Sequence, residues 1–303
     1  MEKRRLGKTD MDVSVLGFGG AEIGFENVEP DQVKRLLESA LDAGLNVIDT
    51  AECYRNSEEL IGHTVSHRRK DFYLFTKCGH PKGVESSANW SADSILQSIE
   101  RSLQRLKTDH VDLVQLHSCS EAELRKGDAI AALQTAREKG HTRYIGYSGD
   151  SHAAHYAVSC GAFDTLQTSI NIADQEAIDL TLPIAREKGV GVIAKRPIAN
   201  AVWRHGHKPI DSYHHEYWNR LHKLQFPFLE YIDRENLSPT ISMALRFTLS
   251  VPGVHTAIVG TTKPERWREN AALLDEGGLA QHEFDVIRRR WEEVAPRTWI
   301  GQI

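Results

Sequence analysis

Four cysteines in 303 residues, with no Cys-x-x-Cys pair, offer little from which to build a disulfide framework or a thiolate metal site. They read as free thiols of a reducing compartment. No stretch approaches the roughly 18 apolar residues a membrane span needs, and the opening MEKRRLGKTDMDVS has charges but lacks the apolar segment of a signal peptide. Neither membrane insertion nor secretion gains support, and the expected location is the cytoplasm. A dominant charge is also missing: the net charge is -5, and no basic stretch invites nucleic acid or an anionic membrane. Linkers, low-complexity tracts and internal repeats are absent too, so residues 1–303 are expected to form one domain. The sequons at Asn89 and Asn236 are then chance matches.

What the chain does have is a rhythm. Short apolar, β-branched runs alternate with amphipathic stretches: VSVLGFG, NVIDT, FYLFTK, VDLVQLH, RYIGYS, DTLQTS, GVIAK and TAIVG. Between the first two, Val33, Leu36, Leu37, Ala40 and Leu41 fall on one helical face, and Gly44 can end the helix. Leu96, Ile99, Leu103 and Leu106 make a second such stripe. Strands apolar on both faces, each followed by a helix, require a parallel sheet covered by helices. Eight such units predict an α/β fold, a (β/α)8 TIM barrel with an N-terminal β-hairpin turning at residues 7–10 and a long loop after strand 7, residues 196–225.

An open dinucleotide-binding sheet is the competing architecture. Gly17-Phe18-Gly19 begins a GxGxxG pattern, but its sixth position is Glu22. Gly189-Val190-Gly191 with Ala194 matches GxGxxA in letters, yet lies before and inside a strand rather than in the turn after one. The phosphate-binding context is lacking in both places.

In a barrel the chemistry sits at the C-terminal ends of the strands. Those positions read Gly19, Asp49, Lys77, His117, Ser148, Gln167, Lys195 and Gly260. Strands can end in polar residues simply because they meet water there. Three charged or ionisable groups on neighbouring strands, with Tyr54 beside them, are harder to dismiss. A phenol is a poor proton donor near neutral pH unless its phenolate is stabilised, and an adjacent ammonium does that. Lys77 supplies the ammonium, Asp49 pairs with Lys77 to position it, and His117 can donate to a substrate oxygen. The set suits protonation of an oxygen that turns negative, as when hydride adds to a carbonyl.

The segments GLNVIDTAECYRNSEELIG, FYLFTKCG, VDLVQLH, RYIGYS and AIVGTTKPERWREN resemble the aldo-keto reductase superfamily, in order and over nearly the whole chain. The resemblance implies a (β/α)8 barrel that binds a nicotinamide cofactor without a Rossmann domain, and a catalytic set of Asp49, Tyr54, Lys77 and His117 with Tyr54 as general acid. It implies reduction of an aldehyde or ketone to an alcohol, or the reverse oxidation, with the protein supplying position and electrostatics. Gly19 and Gly20 are implied close to the cofactor, with Asp49, Ser148 and Gln167 at its carboxamide end. Tyr54, His117 and Asn171 are implied around the substrate. Gly260, Thr261, Thr262, Arg266, Glu269 and Asn270 are implied at the adenosine end, where an arginine commonly meets a 2′-phosphate. NADPH is therefore the expected cofactor, with NADH as the alternative, and a small carbonyl compound is the expected partner.

The chain also departs from the family pattern. Gly149 and Asp150 follow Ser148 where Asn is usual, and the stretch Lys195-Arg196-Pro197-Ile198 stands where a Tyr-Ser-Pro-Leu-like segment is common. The two cations there are assigned to the cofactor's pyrophosphate. These departures keep open a second class of function, a nicotinamide-binding redox sensor or regulatory subunit with little turnover. Cys53, Cys78 and Cys119 adjoin Tyr54, Lys77 and His117, and read as small packing residues before any redox role. The histidine-rich loop carrying His205, His207, His214, His215 and His222 matches no metal motif. An aromatic loop of this kind more often closes over a barrel mouth, and Trp203 is its candidate substrate contact. The short tail APRTWIGQI suggests an open pocket.

Overall fold

A hairpin opens the chain. Lys3–Arg5 (β1) and Asp12–Ser14 (β2) pair antiparallel, turning through Gly7, whose φ of +54° suits a residue without a side chain. The computed structural model describes residues 1–80, 90–204, 206–229, 233 and 235–302. Asn89 and His205 lie outside them.

Eight parallel strands follow: Leu16–Gly19 (β3), Val47–Asp49 (β4), Tyr73–Cys78 (β5), Val111–His117 (β6), Thr142–Ser148 (β7), Thr165–Ser169 (β8), Gly191–Lys195 (β9) and Val254–Val259 (β10). They close into a barrel in sequence order, with β10 returning to β3. All eight apolar runs are strands, so the fold read from the sequence is the one observed. The first run divides at Val15, giving Asp12–Ser14 to the hairpin and the remainder to the barrel.

The hairpin has a purpose in the packing. Leu6, Met11 and Val13 are fully buried against Val47, Phe75, Leu113, Ile193 and Ile258, and so plug the N-terminal end of the barrel. Burying side chains of this kind stabilises by about 1.5–3 kcal/mol each, so this end of the barrel is sealed by apolar packing.

Outside the barrel, helix Pro30–Asp42 buries all five residues of its expected stripe. In helix Ala92–Leu106, Ile95 rather than Leu96 leads the stripe, because Ile95 shares a face with Ile99, Ser102, Leu103 and Leu106 while Leu96 is turned to the edge. Ser91 caps this helix by accepting from the Ser94 amide. The segment expected as a long loop is not wholly irregular, since His215–Leu224 is a helix. Its apolar stripe is interrupted by Arg220, yet that side chain is 1% exposed because it donates to the carbonyls of Ala173 and Ile300 and to Glu216. None of the described helices is long and apolar enough to cross a membrane.

Candidate active site

The C-terminal strand ends converge on one buried ion pair. The Lys77 ammonium donates to Asp49 Oδ2 at 2.5 Å and to the Thr50 carbonyl at 2.9 Å, and both side chains are about as dry as the core. Asp49 Oδ1 accepts from Gln167 Nε2 at 2.9 Å and from Gln115 Nε2 at 3.3 Å. Ser148 Oγ lies 3.2 Å from Gln167 Oε1, so five strands, β4 to β8, are knitted together through a single carboxylate. Gln115 was not foreseen; it sits two residues before His117, on the same inward face of β6.

Tyr54 stands half-buried over this pair, with the Lys77 ammonium 4.9 Å from its ring centre. His117 meets its ring edge-on at 5.8 Å. Phe25 closes one side of Tyr54 at 5.8 Å, and His80 stands edge-on against both His117 and Trp90. The electrostatics differ from the sequence reading in one respect. Burial pushes the Tyr54 hydroxyl up to about 12, and the ammonium of Lys77, which pulls it down, does not outweigh the lost hydration. Lys77 itself is held above its ordinary range: burial opposes its charge, but Asp49 and Tyr54 together favour it more. His117 is held well below its ordinary range by burial and then by Lys77, so its ring is neutral at neutral pH.

Two glutamates missed in the sequence hold the turn that carries Tyr54. Glu52 and Glu58 flank it and are each 1% exposed. Arg101 Nε donates to Glu52 at 2.7 Å, and Ser98 donates to the same carboxylate. Thr76 Oγ1 donates to Glu58 at 2.7 Å, and Arg105 reaches it at 3.3 Å. The signal was available: Arg101 and Arg105 are four apart on one helix and face acids six apart on the turn. Backbone strain concentrates on the same end of the barrel. Arg55, Ser118, Ser151, Arg196, Ala199, Asn200 and Ala201 have positive φ without being glycine, while the other two such residues among those described, Lys107 and Gln225, cap helices.

The remaining expected residues fall into two groups. On the β9 side, Lys195 pairs with Asp150 at 2.7 Å. The two departures from the family pattern are thus partners. Asp150 is held below its ordinary range because Lys195 outweighs the burial that would raise it. Arg196 donates to Tyr213 Oη at 2.9 Å, and Pro197 accepts from Thr248 through its carbonyl. Ile198 is partly buried against the core. Asn171 is fully buried, its amide nitrogen donating to the Arg196 carbonyl at 3.0 Å and its oxygen accepting from Ala173. Trp203 is 4% exposed, and its Nε1 has no partner among the described residues; Asn200 Nδ2 is in the same position. The tail is not withdrawn from the mouth. Gly301 and Gln302 donate to Glu176 and Asp174, and the Gln302 carbonyl accepts from Arg196 and Ser169.

On the β10 side, Gly19 ends β3 and the Gly20 amide donates to the Asp49 carbonyl at 2.7 Å. Gly260 faces the Glu22 carboxylate, which occupies the space where a Cβ at that position would be. Thr261 Oγ1 accepts from the Lys263 amide and Thr262 Oγ1 donates to Glu26. Arg266 is 39% exposed and pairs with Glu269 at 3.1 Å, while Asn270 is buried. Cys53 is half-buried and Cys78 and Cys119 are buried, all three thiols being raised by burial and therefore protonated.

The sequence matches the Aldo/keto reductase family model over residues 15–292. It is 29% identical over 95% of its length to an uncharacterized oxidoreductase, YqkF, of Bacillus subtilis, covering 96% of that protein. It is 28% identical to L-galactose dehydrogenase of Arabidopsis thaliana, with 100% of this chain and 98% of the relative covered. Among solved structures, the holo form of aldo-keto reductase AKR11C1 from Bacillus halodurans superposes with a TM-score of 0.83 at 24% identity, covering 98% of this chain and 99% of that one. An aldo-keto reductase from Klebsiella pneumoniae in complex with NADPH gives 0.78 at 23% identity, over 100% and 99%. With a family match over nearly its whole length and the same closed barrel, the chain belongs to the aldo/keto reductase family of NAD(P)H-dependent oxidoreductases.

Proposed function

We propose that the protein reduces the carbonyl of a small aldehyde or ketone, with NADPH preferred and NADH as the second choice, and that Tyr54 delivers the proton. The observation that carries this reading is the Lys77–Asp49 pair beneath Tyr54, with a neutral His117 beside the phenol.

The residues suit a dinucleotide diphosphate. Lys195 ends β9 and Arg196 follows it, paired here with Asp150 and Tyr213, and further along the same segment Asn200 Nδ2 and Trp203 Nε1 are buried N–H groups without a described partner. Arg266, with Thr261 and Thr262 nearby in sequence, offers a guanidinium to a 2′-phosphate; its pairing with Glu269 is solvent-exposed and costs little to give up. Gly19 and Gly20 bring bare backbone to the rim on that side, while at Gly260 the space of a Cβ is taken by the Glu22 carboxylate. When bound, the nicotinamide supplies the hydride.

The protein's part is the oxygen. His117 donates to the carbonyl oxygen and polarises it. As that oxygen becomes an alkoxide, Tyr54 gives up its phenolic proton to it. A phenol raised to about 12 is fully protonated at neutral pH and still more acidic than an alcohol, so the transfer runs downhill. The resulting phenolate faces the Lys77 ammonium, which Asp49 holds in place. Glu52 and Glu58 keep the Tyr54 turn rigid while this happens.

The test is NADPH and NADH oxidation by the purified protein against a panel of aldehydes and ketones, with cofactor binding followed by tryptophan fluorescence. Tyr54→Phe should lower kcat by about 10²–10⁴ while leaving cofactor binding intact. Tight cofactor binding with no turnover by the unaltered protein would instead favour the sensor reading.

A further inference from the structure

Cys53 immediately precedes Tyr54, and its sulfur lies 3.4 Å from Nδ1 of His117. Among the described residues no other group is hydrogen-bonded to that nitrogen. His117 is neutral, so only one of its two ring nitrogens carries a hydrogen, and which one decides whether the ring can donate to a substrate. Burial pushes the Cys53 thiol up to about 11, so it keeps its hydrogen at neutral pH. Two arrangements satisfy the contact: the thiol donates to a bare Nδ1, or Nδ1–H donates to sulfur. A neutral imidazole nitrogen is a much better acceptor than a thiol sulfur, which favours the first. The ring plane is not free to evade the choice, since Tyr54 and His80 both meet it edge-on, at 83° and 86°.

Resting on the reading of the site given above, we propose that Cys53 is a positioning residue: its thiol hydrogen, donated to Nδ1, holds His117 as the Nε2–H tautomer and so presents that N–H to the carbonyl oxygen of the substrate. Cys53 touches neither reacting atom. It acts through His117, as an orienting group acts through a catalytic imidazole in other enzymes, where the wrong tautomer is strongly deleterious.

The tautomer can be read without substrate or cofactor. In protein labelled with ¹⁵N-histidine, with His117→Gln used to assign the resonance, Nδ1 of His117 should show the shift of an unprotonated nitrogen and Nε2 that of a protonated one. Cys53→Val fills the site with a slightly larger apolar group and removes the donor, and should move His117 toward a tautomer mixture; kcat/KM for the carbonyl should fall at least about tenfold with NADPH binding unchanged. Cys53→Ser, whose hydroxyl can donate to the same nitrogen, should recover most of both effects. Protonated Nδ1 in the unaltered protein overturns the proposal. So does a folded Cys53→Val protein with unchanged ¹⁵N shifts and unchanged kcat/KM, or a Ser variant no better than Val. If the carbonyl-reductase reading itself is wrong, Tyr54→Phe will leave any turnover intact, whereas the ¹⁵N shifts still decide the tautomer.

Discussion

Remove the charge from either side of the Lys77–Asp49 pair and the other side is stranded in the core. At their 2.5 Å separation two unit charges attract by about 7 kcal/mol with an effective dielectric of about 20. Most of that is offset by the lost hydration of two groups that see almost no water. Lys77→Met leaves Asp49 ionised with only the amides of Gln167 and Gln115 as donors, and should cost about 3–5 kcal/mol. Asp49→Asn leaves the ammonium with the Thr50 carbonyl, and should cost about 3 kcal/mol because the lysine can lose its proton instead. The double variant buries no charge at all. Its loss should be smaller than the sum of the two by about 2–3 kcal/mol, within the range seen for residues in direct contact. Urea unfolding of the four proteins at pH 7, with unchanged m-values, measures this coupling. Catalysis should not recover along with stability, since the double variant has no cation facing Tyr54. Costs that add to within about 0.5 kcal/mol would refute the reasoning, for they would mean the pair is not a unit.

Asp174 offers a pH test. Burial raises its carboxyl from 3.8 to about 7, where it accepts from Tyr217 and from the Gln302 amide. The folded chain therefore keeps a proton that the unfolded chain releases between those two values, so this group's contribution is most favourable below pH 4 and declines as pH rises to about 7. Asp174→Asn should accordingly gain in Tm relative to the unaltered protein on going from pH 5 to pH 8; an equal difference at both pH values would show that the carboxyl does not titrate there. Gly62 lies against the Arg105 carbonyl, with no room for a Cβ between helix Ser57–Thr64 and helix Ala92–Leu106. Gly62→Ala should cost about 1–3 kcal/mol in urea unfolding, and an unchanged midpoint would count against that packing.

By itself the sequence determined the barrel, because the signal is local and repeated: apolar runs of strand length separated by stripes of helical period need no knowledge of distant contacts. It determined the strand-end residues for the same reason, since Asp49, Lys77 and His117 each close or nearly close a strand. Helix His215–Leu224 escaped because an arginine in the middle of its buried face disguises the period, and only the carbonyls of Ala173 and Ile300, far away in the chain, make that arginine tolerable inside. The tertiary structure alone decided who pairs with whom. Asp150 and Lys195 looked like two unrelated oddities until β7 and β9 brought them to 2.7 Å. Glu52 and Glu58 carry no mark of burial along the chain, and only a helix that supplies Arg101 and Arg105, nearly fifty residues on, makes them partners inside. The acidity of Tyr54 was likewise undecidable from residue types: a phenol beside an ammonium predicts one direction, and the depth at which the barrel buries it sets the other. Propensity and periodicity are written along the chain, whereas dielectric environment and partner choice exist only once the chain has closed.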